Sequence, residues 1–213
     1  MSTQQKGYYD VEADIVLDEV DGARLAEVMY LKDLKQRKLF LNDEISSVSA
    51  IEVVHHILQF NAEDKGIPIE QRKPILLYVT SIGGSVDAGY ALIDTILCSK
   101  TPVYTVNLGW QYSMGFLIGL AGSKRFAVPN ARFLMHDGSS FVYDSGAKAQ
   151  DQMEFQKRVE ERTRSYVLSR SCLTPEEYDA KFRVEWYLFA DEAKRYGFTD
   201  FIIGLDCAMD EVV

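Results

Sequence analysis

Apolar and polar positions along this chain change period several times, and each change marks an element. Leu25 to Leu34 carries apolar residues near helical spacing, and Lys38-Leu39-Phe40-Leu41 reads as a short strand. Val48, Ile51, Val54, His55 and Leu58 recur at spacings of three and four, which predicts a helix with these residues as its apolar stripe and Asn42 or Asp43 as its cap. Asn61 to Lys73 is polar, holds Gly66 and Pro68, and reads as a surface loop. After Pro74, the run Ile75-Leu76-Leu77-Tyr78-Val79-Thr80 is continuously apolar and β-rich, the pattern of a strand buried on both faces. A glycine turn follows, Ser81-Ile82-Gly83-Gly84-Ser85-Val86, then a helix from about Val86 to Ser99. Pro102 to Val106 is the next buried strand. The elbow Gly109-Trp110-Gln111-Tyr112-Ser113-Met114-Gly115 opens a helix from Ser113 to about Leu120. Lys124 to Val128 is a strand, Pro129-Asn130-Ala131 a turn, and Arg132 to His136 another strand. Strands and helices alternating at this spacing predict an α/β fold of parallel strands joined by right-handed crossovers.

The second half is more polar. Phe141-Val142-Tyr143, between glycines, reads as a projecting hairpin or extended strand. Ala149 to Ser169 is a long charged helix of about 30 Å, with Met153, Phe155, Val159, Tyr166 and Leu168 as scattered apolar residues. Thr174-Pro175-Glu176-Glu177 is a helix start: threonine cap, proline at the first position, acids in the first turn. Ala190-Asp191-Glu192-Ala193 is another, its helix ending at Gly197 with Lys194 and Arg195 in the last turn. Phe201-Ile202-Ile203 is a last short strand. Residues 1–24 are acidic and weakly patterned and read as a mobile arm.

Composition narrows the function classes. A chain of 213 residues suits one well-buried domain. Its net charge of −9, from 23 basic and 32 acidic residues, argues against nucleic acid and anionic membrane surfaces as partners. No window approaches the ~20 apolar residues of a membrane span, and the first residues lack the apolar core of a secretory signal. Cys98, Cys172 and Cys207 are an odd number at unrelated spacings, which fits free thiols in a reducing compartment and no metal framework. The expectation is a cytoplasmic protein.

Candidate chemistry concentrates between residues 81 and 136: a flexible backbone, a hydroxyl at the head of a helix and an imidazole, in an order a serine hydrolase can use. His55 and His56 are adjacent on an amphipathic helix, point about 100° apart and read as structural. His136 ends an apolar strand, where loops gather and sites form. Ser113 has two readings. It is a nucleophile exposed at a positive helix end, or a serine N-cap worth ~1 kcal/mol. Gly83-Gly84 supplies N–H donors for an oxyanion, or is only a tight strand-to-helix turn. A phosphate site is disfavoured, because the dinucleotide fingerprint and the P-loop lysine are missing.

In combination these motifs resemble one family. Ser81-Ile82-Gly83-Gly84-Ser85-Val86, Tyr112-Ser113-Met114-Gly115, Lys124 to Arg132 and Met135-His136 are similar to the proteolytic subunits of Clp proteases, the ClpP family. Tyr30 to Leu41 resembles that family's first helix and strand, and Ala190 to Asp200 its C-terminal signature, so the resemblance spans about residues 25 to 203. It implies the ClpP/crotonase fold, with residues 1–24 as the axial arm and a protruding helix-strand handle at about 137–170 that joins two rings. It also implies an ATP-dependent Clp protease subunit, a serine endopeptidase that hydrolyses unfolded polypeptide inside an oligomeric chamber. The rings would be seven-membered and stacked in pairs as a tetradecamer, fed by a hexameric Clp-type AAA+ unfoldase. Ser113 is then the nucleophile, His136 the general base, and the Gly84 and Met114 N–H groups the oxyanion hole. No cofactor or metal is implied for this chain, and ATP is used by the partner.

The sequence departs from the family at several points. The family's aspartate falls on Glu185, one methylene longer; Asp137 and Asp144 are alternative acids. Ile82 replaces a proline, which loosens the glycine turn. Gln111-Tyr112 replaces two alanines, and that bulk is expected to narrow the site. The segment from Ser113 to His136 is shorter than the family's, Asp137-Gly138 replaces Gln-Pro, and Arg183-Val184 replaces an acid–arginine pair used in ring contact. Two other readings therefore stand beside the protease: a non-catalytic ring subunit that pairs with an active ClpP paralogue, and an acyl-CoA enzyme of the crotonase type. The second leaves Ser113 and His136 unexplained.

Overall fold

The computed structural model describes residues 22–138 and 146–212, and two compact units divide the chain, Met1–Lys38 and Leu39–Val213. Residues 1–21 of the acidic arm lie outside the described residues. In the first unit, helix α1 (Gly22–Lys35) starts three residues before the apolar period that announces it and carries Lys32 and Lys35 in its last turn, where cations oppose the helix dipole.

The second unit takes up β1 (Lys38–Leu41) from its second residue and continues through α2 (Ser47–Glu63), β2 (Ile75–Val79), α3 (Val86–Cys98), β3 (Val103–Asn107), β4 (Trp110–Tyr112) and α4 (Met114–Leu120). It goes on through β5 (Lys124–Ala127), β6 (Arg132–Met135), α5 (Ala147–Ser169), α6 (Pro175–Phe182), β7 (Trp186–Phe189), α7 (Ala190–Arg195) and β8 (Phe201–Ile202). The strands make two sheets. A five-stranded sheet has the order β1-β2-β3-β5-β8, with β2, β3, β5 and β8 paired in parallel. All five residues of β2 are buried, as its unbroken apolar run requires. A three-stranded sheet has the order β4-β6-β7, with β4 parallel and β7 antiparallel to β6. This is the α/β architecture expected. One core cluster packs Phe116 of α4, Phe133 and Met135 of β6, and Trp186 and Leu188 of β7 with Phe198, so the small sheet is seated on the short helix α4.

Several expectations change. Ser46, not Asn42 or Asp43, caps α2, in a capping box with Ser49. The Asp43 side chain instead accepts from the Glu44 N–H, and its carbonyl takes the Ser81 hydroxyl. The inner face of α2 is Ala50, Val53, Val54, Ile57 and Phe60. Of the stripe read from the sequence, only Val54 is buried; Val48, Ile51, His55 and Leu58 are exposed. The helix has apolar residues on two faces, and period alone cannot say which faces the core. The polar loop after it is partly helical, since α2 runs to Glu63 and Ile69–Gln71 forms a 3-10 turn. The short strands β4 and β7 were not foreseen. Of the 137–147 segment, residues 139–145 lie outside the described residues. Helix α5 starts at Ala147 and buries only Val167, leaving Met153 and Phe155 exposed. Helix α6 has the predicted threonine cap, in a capping box with Glu177. No helix among the described residues is long and apolar enough to cross a membrane.

Candidate active site

The glycine turn is held from three sides. Beyond β2, the Ser81 N–H donates to the Trp110 carbonyl (3.1 Å), and the Tyr112 N–H donates to the Ser81 carbonyl (2.9 Å). The Ser81 hydroxyl donates to the Asp43 carbonyl (2.6 Å) and accepts from the Gly83 N–H (3.1 Å). The Ile45 N–H donates to the Gly83 carbonyl, and the Ser85 N–H to the Ile45 carbonyl. That ladder passes over the Gly84 N–H and leaves it outside. Gly83 has φ +102°, and a Cβ there would stand 2.7 Å from Ser113 Cβ and 3.1 Å from the Met114 nitrogen. Only glycine lets the turn lie this close to the elbow. Ile82 is exposed, so the turn keeps its shape through these bonds without a proline.

Ser113 stands at the N-cap position of α4, but its side chain makes no capping bond. Its backbone is left-handed, with φ +53° and ψ −122°, a conformation of order 1–3 kcal/mol for a residue with a Cβ. Three contacts impose it. The Ser113 N–H donates to the Leu134 carbonyl (3.0 Å) on β6, and Gly83 packs on its Cβ. A Cβ on Gly115 would lie 2.9 Å from the Ser81 carbonyl oxygen, so the first turn of α4 is pressed against the glycine turn. The Met114 N–H, first in the helix, has no intrahelical acceptor. At the far end of α4, the Arg170 guanidinium donates to the carbonyls of Leu120 (3.1 Å), Ala121 (3.3 Å) and Gly122 (2.5 Å).

The two bulky residues before Ser113 do not narrow the site. The Gln111 side chain turns into the core against Gly119, with its amide 3.5 Å from the Val79 carbonyl. Tyr112 meets Tyr187 edge to face, with ring centroids 5.8 Å apart. Neither borders the cavity in which Ser113 stands.

The small sheet assembles the rest. Tyr112 pairs with Leu134, Leu134 with Tyr187, and Met135 with Trp186. One step beyond the same end of these strands stand Ser113 after β4, His136 after β6 and Glu185 before β7. The His136 Nδ1 lies 2.9 Å from Glu185 Oε1. The Tyr187 hydroxyl donates to Glu185 Oε2 at 3.2 Å. Desolvation of the phenol, then its bond to the carboxylate, push the Tyr187 pKa up. The His136 Nε2 is buried and has no hydrogen-bond partner among the described residues. With Nδ1 donating to the carboxylate, Nε2 carries the free lone pair of the neutral imidazole. Asp137 makes no hydrogen bond to His136, and Asp144 lies outside the described residues.

A cavity of about 130 Å³ brings Gly84, Ser113, Met114 and His136 together, floored by Phe116 and Tyr178 among other apolar groups. Glu185 stands behind His136 rather than in the cavity. His55 and His56 on α2 are away from it. Among the described residues no group of histidine, cysteine, aspartate and glutamate could hold a metal ion. Tyr187 is the residue that sequence reasoning missed. Its signal was the period of two that places residues 185 and 187 on one face of a strand, visible only once β7 is recognised.

The arrangement brings together a serine hydroxyl, an imidazole bound to a carboxylate and two backbone N–H donors, the kinds of group that an acyl-transfer site uses. The family described as Clp protease matches residues 22–206. The ATP-dependent Clp protease proteolytic subunit 3 of Streptomyces coelicolor is 36% identical over 186 residues, 84% of this chain and 79% of its own length. Subunit 1 of Streptomyces avermitilis is 36% identical over 175 residues, 80% of this chain and 76% of its own. The corresponding subunit of Streptococcus gordonii is 29% identical over 197 residues, 89% and 95% of the two chains.

Proposed function

Because this chain belongs to the Clp protease family, we propose that its serine peptidase activity is carried by Ser113, His136 and Glu185, with the Gly84 and Met114 N–H groups as the oxyanion hole. The observation that carries this is Ser113 itself. It occupies a capping position in a costly left-handed conformation without using its hydroxyl as a cap, in one cavity with an imidazole whose Nδ1 is bound to a carboxylate.

His136 Nε2 removes the Ser113 proton as Oγ attacks the peptide carbonyl. The oxyanion of the tetrahedral intermediate is held by the two N–H groups, and Glu185 stabilises the imidazolium. His136 then protonates the leaving amine, and the C–N bond breaks to give the acyl-enzyme. Water, deprotonated by the same nitrogen, releases the acid and restores the serine. No step needs a cofactor of this chain.

The substrate is unfolded polypeptide delivered by a Clp-type AAA+ unfoldase, which uses the ATP on which such proteases depend; this chain has no P-loop. The subunits form seven-membered rings stacked in pairs in the cytoplasm. Helix α5, long, charged and mostly exposed over its first two-thirds, is the ring-to-ring handle. The reading as a non-catalytic subunit rested on Glu185 and Tyr112, and loses support from an acid within 2.9 Å of His136 and a tyrosine outside the cavity.

The test is a fluorophosphonate probe, with mass spectrometry to locate the adduct and light scattering to size the particle. An adduct on Ser113 in a many-subunit particle, with turnover abolished and assembly intact in Ser113→Ala, is the expected result. Turnover that survives Ser113→Ala overturns the assignment. An unlabelled, intact ring that gains no labelling beside an active paralogue or unfoldase returns the chain to the scaffold class.

A further inference from the structure

Two departures from the family meet in space, and the meeting has a physical consequence. Glu185 has one more rotatable bond than an aspartate, and its side chain is 58% exposed. A solvated carboxylate on a longer stem loses more rotamer freedom when fixed against an imidazole. Something must hold it there. Strand periodicity places residues 185 and 187 on the same face, and the Tyr187 hydroxyl reaches Glu185 Oε2 at 3.2 Å, while Oε1 lies on His136 Nδ1. The Tyr187 ring is itself placed by Tyr112, edge to face at 5.8 Å. Tyr112, Leu134 and Tyr187 form one transverse row across β4, β6 and β7. The ring that anchors the clamp therefore belongs to the residue next to the nucleophile.

We propose that Tyr187 is a positioning residue for Glu185. Its hydroxyl holds one carboxylate oxygen so that the other stays on His136, and Tyr112 is the wall that fixes the Tyr187 ring. The longer acid and the bulky residue before the serine are thus two halves of one arrangement. An alanine at 112 would leave the phenol unbraced, and without the phenol the glutamate swings into solvent.

The proposal rests on the assignment of Ser113, His136 and Glu185, and its test separates the two. The rate of fluorophosphonate attachment to Ser113 is measured against pH on full-length assembled protein, as wild type, Tyr187→Phe, Glu185→Gln and the double variant. Phenylalanine keeps the ring and its contact with Tyr112, and removes only the donor. Tyr187→Phe is expected to slow labelling about 5-fold, the rate equivalent of one ordinary hydrogen bond. It also lowers the midpoint of the rising pH limb by about half a unit, because a loosely held carboxylate stabilises the imidazolium less. In the Glu185→Gln background the same change has no further effect, since the two groups act as one. Tyr187→Phe at the wild-type rate and midpoint overturns the proposal. So does an equal loss in both backgrounds, which would mean that the hydroxyl acts other than through Glu185. A wild-type assembly that takes no adduct on Ser113, or a Glu185→Gln variant with an unchanged midpoint, overturns the assignment and the proposal with it.

Discussion

At the scale of single residues, the site is recognisable by groups that forgo an available bond. Ser113 sits where a serine normally caps a helix and does not cap it, and His136 keeps its Nε2 buried without a partner among the described residues. A third such atom is the Tyr178 hydroxyl, also buried with no hydrogen-bond partner among the described residues. Tyr178 lies on the cavity floor, its ring stacked on Phe182, and burial pushes its pKa up. An unsatisfied hydroxyl costs about 1–3 kcal/mol relative to an apolar group of the same shape. Tyr178→Phe is therefore expected to raise the melting temperature, by about 3 °C for a gain of ~1 kcal/mol in a chain of this size. Thermal unfolding followed by circular dichroism checks this, and a fall of several degrees would show that the hydroxyl has a partner in solution.

At the scale of elements, the short helix α4 follows directly on Ser113, the proposed nucleophile, and cannot stand alone. It has seven residues, six of them buried, too few for stable helix formation in isolation. Its start is pinned by the glycine turn and β6, its end by Arg170. Arg170→Met removes the donor to three buried carbonyls at once. We expect a loss of ~3 kcal/mol, a melting point lower by about 10 °C, and slower probe attachment to Ser113 as the elbow loosens. Melting and labelling measured on the same preparation decide it; an unchanged melting point would mean that water replaces the guanidinium without cost. Helix α2 illustrates the opposite case, where an element forms as read but turns its other face inward, because Val53, Ile57 and Phe60 are buried in the core where α2 packs beside α3.

At the scale of the molecule, stability is bounded by pH on both sides. The Arg164 guanidinium holds the Asp179 carboxyl below the ordinary value of 3.8, through a bidentate contact between α5 and α6. Lys194 and the Ile202 N–H do the same for Asp206. A lowered pKa in the folded state means stabilisation that is present above the unfolded value and lost as pH falls through the folded one. Both pairs are exposed, so the effect is small and weakens with salt. On the other side, burial raises the Tyr166 phenol, whose hydroxyl donates to the Leu117 carbonyl. In the unfolded chain that phenol ionises near pH 10, so its contribution is complete below that pH and disappears as pH rises further. Melting temperature measured from pH 3 to 11 is expected to form a plateau that falls below about pH 4 and above about pH 10. Added salt should flatten only the acid side.

The alternation of buried runs and helical periods by itself determined the parallel sheet, because a continuous apolar strand followed by an amphipathic helix has few other ways to bury both. The glycines at 83, 84 and 115 marked the turn and elbow, because no other residue fits backbones that close. Chain order placed a serine at the head of a short helix and a histidine at the end of the second strand after it. Tertiary structure decided what local pattern cannot carry. It chose the inner face of α2, since two apolar faces have equal period. It formed β4 and β7, too short to show alternation and stable only as partners of β6. It sent Gln111 into the core rather than into the cavity. Above all it chose the partner of His136 among three acids, since Glu185 lies 49 residues away in sequence and only the antiparallel pairing of β6 with β7 brings it within 2.9 Å.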